Sequence, residues 1–292
     1  MNKFLGYLRL MRPANVVTAV ADVLAGVAIA GYFSVEISIV PIVLLCLSTI
    51  GLYSGGIIMN DVFDADLDAK ERPERPIPSG LISKKAATIF GCIFLFIGIF
   101  TAGLYHSSSQ YLAVAIMICA LVYNRFLKHN LIFGPINMGL CRGLNLLLGI
   151  SIIPSEIQHW WFLAILPIVY IGAITMISRG EVHGGRKKTL YFAAFLYTVV
   201  IAAIITLARI KGNLLYALIF ILPFAVMIFS PLLIAIQKPI GKYIGQAVKS
   251  GVIALILMNA AWASAFGIFN VAIFIVILLP VSVLLGKAFA VT

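Results

Sequence analysis

Residues 44–80 read LLCLSTIGLYSGGIIMNDVFDADLDAKERPERPIPSG, an uncharged apolar run that turns acidic at Asn60. The run behind it reaches back to residue 37 without an Asp, Glu, Lys, Arg or His from 37 to 59. A helix crossing ~30 Å of hydrocarbon needs about 20 mostly apolar residues, so this segment is long enough to span a membrane. If the helix continues past Met59, then Asp61, Asp64 and Asp68 fall at i, i+3 and i+7 on one face, with Asp66 pointing elsewhere. Three carboxylates on one stripe repel one another unless a cation lies between them. Hard oxygen ligands suit Mg²⁺, which commonly takes one or two carboxylates together with substrate phosphates and water. Asn60 adds an amide that can coordinate or orient a ligand. Arg72 and Arg75 can clamp phosphate oxygens, and Pro73, Pro76 and Pro78 end the helix.

The rest of the chain has the same apolar character. Of 292 residues, 62% are apolar and 11% charged, and the mean hydropathy is +1.11. Soluble domains carry roughly 45–50% apolar residues, so water is not the main solvent here. The pattern predicts an all-α integral membrane protein forming one domain over 1–292. Its spans fall near 16–33, 37–59, 86–105, 109–127, 133–153, 160–178, 190–208, 213–236, 249–267 and 269–288. The last two meet around Gly267, so the expectation is nine or ten transmembrane helices. Met1 to Pro13 is basic and aromatic, without the short apolar core of a cleavable leader, so the first span is expected to be retained.

Lys and Arg are held on the cytoplasmic side of a membrane near helix ends. A cytoplasmic N-terminus puts eighteen of the 21 basic residues inside and only Arg209 and Lys211 outside, with Arg142 within a span. The formal charge of +11 therefore needs no nucleic-acid partner, because short basic loops beside an anionic lipid bilayer account for it. Cys46, Cys92, Cys119 and Cys141 lie in apolar runs with no CxxC pair, and the four His residues are scattered. Zinc and haem sites find little support, and an EF-hand lacks its Gly and terminal Glu.

Six of the ten acidic residues, Asp61, Asp64, Asp66, Asp68, Glu71 and Glu74, crowd into 14 positions. With Asn60, Arg75, Pro76 and Gly80 the segment resembles the Asn-Asp-x-x-Asp-x-x-x-Asp and Arg-Pro pattern of the UbiA prenyltransferase superfamily. Arg12, Pro13 and Asn15, the stretch from Tyr123 to Lys128, and Arg142 to Asn145 extend the likeness over most of the chain. The resemblance implies a bundle of two related helical halves around a central cavity open toward the cytoplasmic face, with the Asp-rich loop at 60–85. It also implies a second Asp-rich loop after the sixth span. At 178–190 that place reads SRGEVHGGRKKTL, with the single carboxylate Glu181. Glu181 is expected to help hold a metal, with His183 assisting, or Arg179, Arg186 and Lys187 to neutralise the diphosphate directly. Asp22 together with this loop is similar to the UbiA-like EboC branch, associated with bacterial secondary-metabolite clusters.

Charges inside hydrocarbon cost ~2.5–3.5 kcal/mol each at a helix centre, so Asp22 and Arg142 point to a polar cavity. Asn145 shares the face of Arg142, and Asn15 stands near the cytoplasmic end of the first span. Asn259 reads as a helix-to-helix hydrogen bond. Tyr53, Phe63, Tyr123 and Tyr170 are aromatic faces near the expected site, with core packing the alternative for each.

The expected function is a membrane prenyltransferase of a bacterial inner membrane. Asn60, Asp61, Asp64, Asp68 and Glu181 are candidate Mg²⁺ ligands, with Asp61, Asp64, Asp68 and Arg75 at the reacting diphosphate. Arg72, Arg75, Lys128, Arg179, Arg186 and Lys187 are candidate diphosphate ligands, and Asn15, Asp22, Arg142 and Asn145 candidate cavity residues. The partners are a prenyl diphosphate and an aromatic or other acceptor, with the oligomeric state open. A non-catalytic carrier of a prenylated or amphiphilic metabolite is the second expectation, and a secondary transporter the third.

Overall fold

A computed structural model describes residues 2–35, 38–181 and 184–289. Glu36, at the connection before the second span, and His183 lie outside them. Among the described residues the chain is all helix. In order these are α1 (Lys3–Met11), α2 (Pro13–Ile29), α3 (Tyr32–Val35), α4 (Ile39–Phe63), α5 (Ala65–Glu71), α6 (Lys84–Tyr105) and α7 (Ser107–Val122). There follow α8 (Phe133–Ile150), α9 (Glu156–Trp160), α10 (Ile165–Ser178), α11 (Lys187–Ile210), α12 (Leu214–Gln237), α13 (Gly241–Ala265) and α14 (Phe269–Ala288). Eight of the described helical segments are long and apolar enough to cross a membrane, and a ninth counts if α1 and α2, bent by 41°, form one span. α8 follows the fifth expected segment but carries Arg142 and Asn145, whose side chains are buried inside the bundle.

The helices begin and end where local chemistry says they should. Pro13 opens α2 at a position where its missing N–H costs nothing. The Ser83 side chain accepts from the Ala86 N–H at 3.2 Å to cap α6. The structure corrects two boundaries. α4 does not stop at Met59 but runs to Phe63, and after a turn at Asp64 the helix resumes as α5, ending before Pro73. α13 starts at Gly241, eight residues before the apolar run at 249.

α2 is the axial helix. It packs against α4, α8, α13 and α14, and nearly every side chain from Ala14 to Ile29 is buried. Small residues permit that closeness. A Cβ on Gly149 would lie 2.2 Å from the Val23 carbonyl oxygen, and one on Gly26 would lie 2.4 Å from that of Leu146. The two backbones therefore touch at this crossing, as small residues allow in membrane helices. On the face remote from the Asp-rich segment, Lys211 lies over the rings of Trp160 (4.7 Å) and Phe266 (5.1 Å), tying three loops together.

Gly149→Ala is expected to destabilise the protein by about 1–3 kcal/mol, the usual cost of overpacking a closed contact. Gly172→Ala, where the added Cβ meets nothing within 4 Å, serves as the control. Unfolding of the two variants in detergent, followed by circular dichroism, measures the difference.

Candidate active site

The Asp-rich stripe closes one end of a cavity of about 450 Å³. Helical hydrogen bonding passes from α4 into α5 almost unbroken, through Asp64 N–H to Asn60 O (2.9 Å), Asp68 N–H to Asp64 O (2.8 Å) and Arg72 N–H to Asp68 O (2.8 Å). The face expected from the spacing is thus built. Asp66 is exposed and faces Lys84 at 3.5 Å, away from the other three.

Every buried carboxylate on the stripe has a cation beside it. The Arg12 Nη2 donates to Asp61 Oδ1 at 2.8 Å. Arg75 Nη1 donates to Asp68 Oδ2 at 2.7 Å and reaches Asp61 Oδ1 at 3.5 Å. Lys128 pairs with Asp64. Arg12 is the one described non-glycine residue with a positive φ, at 46°. Holding a side-chain-bearing residue in that region costs of order 1–3 kcal/mol, and such strain clusters at functional sites. It arises here because the chain must bend sharply from α1 into Pro13 while keeping the guanidinium at the mouth.

Tyr123, Asn124 and Lys128 reach the same cavity through a different device. Residues Tyr123–Leu127 form a π-helical turn, and the Lys128 N–H bonds to the Tyr123 carbonyl at 3.0 Å. The wider turn brings residues five apart onto one side, a distortion frequent at functional sites. Asn124 then accepts from Asn60 Nδ2 at 3.0 Å and donates to Gly56 O at 2.9 Å. Nothing in the sequence pattern marked this turn.

Asn60, Asp64, Asp68, Arg72, Arg75, Lys128 and Glu181 line the cavity, as do Asn15, Arg142 and Asn145. Five of the expected residues lie outside that lining. Asp61 is not in the lining, since it stands behind Arg12 and Arg75 and holds both. Asp22 is likewise behind the wall, accepting from Arg142 (2.7 Å), Asn145 (3.1 Å) and Asn259 (2.7 Å). Arg179 donates to the Asn130 and Leu131 carbonyls at 2.6 and 2.9 Å, which fastens the loop after α7 and spends its donors on backbone. Arg186 and Lys187 open α11 and lie outside the lining. Arg12, Glu71, Tyr53, Tyr123 and Asn124 join the cavity wall. Tyr170 is a core residue whose hydroxyl donates to Gly251 O at 2.7 Å, and Phe63 is not in the lining.

Glu181 Oε1 is buried with no hydrogen-bond partner among the described residues. Burial pushes this carboxyl up from its ordinary range, and the nearby Arg72 offsets part of the rise. An orphaned carboxylate oxygen facing Asp64 and Asp68 across one cavity fits a hard cation in kind. Among the described residues, however, no three His, Cys, Asp or Glu side chains are gathered closely enough to hold one.

A multi-helix membrane protein with an acid-and-base mouth over an apolar cavity is thereby defined. Residues 19–240 match the UbiA prenyltransferase family, and the chain belongs to it. It is 32% identical over 209 residues to the digeranylgeranylglyceryl phosphate synthase of Methanothrix thermoacetophila, covering 68% of this chain and 75% of that one. It is 30% identical to the Methanothermobacter thermautotrophicus protein of the same name, over 62% of this chain and 63% of that one. The fold matches an apo UbiA homologue from Aeropyrum pernix K1 with a TM-score of 0.71 at 15% identity, covering 84% and 96% of the two chains. It also matches an Archaeoglobus fulgidus UbiA homologue bound to GPP and Mg²⁺, with a TM-score of 0.56 at 15% identity over 91% and 99%. These relatives are archaeal, so they lend no support to a bacterial membrane or to the EboC branch.

Because the carboxyl of Glu181 is harder to ionise folded than unfolded, its burial costs nothing below the unfolded pKa. The full cost is present once the pH exceeds the folded pKa. Glu181→Gln removes that cost, so the ligand-free variant is expected to be more stable than the parent at pH 7–8 and to lose the advantage as the pH falls toward 4. Thermal unfolding across that range reads the crossover.

Proposed function

We propose that the protein transfers an isoprenoid group from a prenyl diphosphate to a hydroxyl on a glyceryl phosphate carrying one isoprenoid chain. The observation that carries this reading is the cavity mouth, where Arg12, Arg75 and Lys128 stand against Asp61, Asp64 and Asp68 directly above an apolar chamber. The names of the curated relatives support the choice of acceptor over an aromatic one.

In this reading the diphosphate lies at the mouth and its hydrocarbon chain runs into the cavity. Asn60, Asp64, Asp68 and Glu181 are the residues that would hold Mg²⁺. Bound there, it supplies charge neutralisation for the leaving group. Arg12, Arg72, Arg75 and Lys128 bind the diphosphate oxygens and stabilise the negative charge that grows on them. The bond from C1 to the diphosphate oxygen breaks, and pyrophosphate leaves with the electron pair. The acceptor hydroxyl oxygen forms the new bond to C1, and its proton passes to the departing pyrophosphate. Apolar side chains keep water from C1 while it is electron-poor, and the faces of Tyr53 and Tyr123 favour positive charge.

Asp61 has a different part from the one its spacing suggested. Standing behind the wall, it positions the two guanidiniums. The mouth is proposed to face the cytoplasm, supported by the excess of Lys and Arg at that end.

Purified protein in lipid vesicles, given geranylgeranyl diphosphate, geranylgeranylglyceryl phosphate and Mg²⁺, is expected to release pyrophosphate. Asp64→Asn should lower the rate by about a hundredfold or more. Asp61→Asn should instead raise the KM for the diphosphate and leave the Mg²⁺ concentration dependence in place. An Asp61→Asn variant whose Mg²⁺ dependence shifts as far as that of Asp64→Asn would return Asp61 to the metal ligands. Mg²⁺-dependent binding of the diphosphate with no release of pyrophosphate would favour a carrier over a transferase.

A further inference from the structure

The cavity lining is mostly apolar, with Leu52 and Ile57 of α4, Ile116 and Ala120 of α7, Ile171 and Ile174 of α10, and Val252 and Leu255 of α13. Among these stand Thr49 and Tyr53 of α4 and Arg142 and Asn145 of α8. An isoprenoid chain needs only the apolar residues, so the polar group requires its own account.

Arg142 is its centre. The residue is 5% exposed and yet belongs to the lining. Its Nη1 donates to Asp22 at 2.7 Å, and its Nη2 donates to the hydroxyls of Thr18 (2.6 Å) and Tyr53 (3.0 Å). The guanidinium also sits 4.7 Å from the centre of the Tyr53 ring. Asn145 donates to Asp22 and to the Ala19 carbonyl, while its Oδ1 accepts from Thr49 at 2.7 Å. Four helices thus spend polar side chains on holding one guanidinium at a cavity wall. Apolar packing of similar volume is often as stable as a buried ion pair or more so, which makes stability a weak reason for this arrangement.

Two details point to a ligand. The Tyr53 hydroxyl accepts from Arg142, its hydrogen-bond partner among the described residues, so its own proton remains available on the cavity side. Thr18, which marks the level of the guanidinium, is six residues along α2 from Arg12 at the mouth, or about 9 Å at 1.5 Å per residue. Tyr53 is likewise eight residues along α4 from Asp61, the partner of Arg12, or about 12 Å, so the two guanidiniums are held at different depths of the same cavity.

We propose that Arg142 and Tyr53 form the anion site for the acceptor, binding a phosphate borne on the same small molecule as the hydroxyl that is prenylated. Asp22 and Asn145 are positioning residues that hold the guanidinium aimed at the cavity and balance its charge when no ligand is there. The proposal rests on the transferase reading above and adds where the acceptor's charged end lies.

The test uses the full chain in lipid vesicles, geranylgeranyl diphosphate as donor, and two acceptors, geranylgeranylglyceryl phosphate and the same alcohol without its phosphate. Wild type is expected to prefer the phosphorylated acceptor. Arg142→Gln should lower kcat/KM for that acceptor about tenfold or more beyond any loss for the plain alcohol, as removal of a charge-assisted hydrogen bond does. The donor KM should not follow. Tyr53→Phe, which keeps the ring, should narrow the preference by about three- to tenfold, and Arg142→Lys should restore part of what Gln loses. Should Arg142→Gln not insert, Tyr53→Phe and Arg142→Lys decide. Equilibrium binding of the two alcohols without donor separates the two readings. A phosphate preference that Arg142 controls, seen without turnover, keeps the anion site and removes the transferase. A preference that neither Arg142 nor Tyr53 alters, in binding or in turnover, overturns the anion site and leaves the transferase standing.

Discussion

A guanidinium cannot stand in the interior of a membrane bundle without a partner, and Arg142 is where that constraint shapes this protein. Its counter-charge, Asp22, is on α2, which packs against α4, α8, α13 and α14, and Asp22 in turn takes hydrogen bonds from α8 and α13. With Thr18 and Tyr53 added, the pair ties α2, α4, α8 and α13 at one depth. The crossing of α2 and α8 then has to be close enough for these short reaches, and Gly26 against Gly149 provides the closeness. Removing either charge would leave the other uncompensated, which is far costlier than never having had the pair. The cavity's polar group is therefore also a structural joint, and its geometry is preset before any ligand arrives.

The mouth obeys the opposite logic. Its three carboxylates, all buried, and three bases form a set with no net charge in which each member already has a partner. Arg12, Arg75 and Lys128 are the groups best placed to meet phosphate oxygens, and Asp64 and Asp68 the groups best placed to meet a cation. In the proposed transferase, a diphosphate arriving together with a cation would offer new partners to both halves of the set, whereas either ion alone would compete for one half and leave the other without its counter-charge.

Much of this was legible from residue order, and the rest failed for identifiable reasons. The ten apolar segments and the Asp61, Asp64 and Asp68 stripe follow from length and periodicity, which depend only on local geometry. Asp22 and Arg142 stood out because charge is expensive in hydrocarbon, but their partnership spans 120 positions and no spacing rule reaches that far. A basic residue beside an Asp-rich site reads as a phosphate ligand, and residue order does not show that backbone carbonyls at a helix–loop junction hold Arg179. The surroundings of Asp61 were hidden for a related reason. Periodicity places a side chain on a face but does not say whether a guanidinium stands between that face and the cavity. The π-helical turn at Tyr123–Leu127 and the positive φ at Arg12 leave no mark in composition, since both are imposed by packing on residues with no special preference for them.

The second loop shows how a shortened motif can remain part of a site. A single carboxylate stands where the family pattern leads one to expect more, yet Glu181 Oε1 is buried, lacks a partner among the described residues, and shares its cavity with Arg72, Asp64 and Asp68. A solvated loop would have left that oxygen in water at no cost. Keeping it buried and unpaired raises the energy of the empty protein, and a compensating ligand is the ordinary reason such a group persists. The cation that offsets part of this cost is Arg72, which lines the same cavity. The loop's single acid thus draws its counter-charge from the Asp-rich segment, and the two segments are joined electrostatically across the cavity.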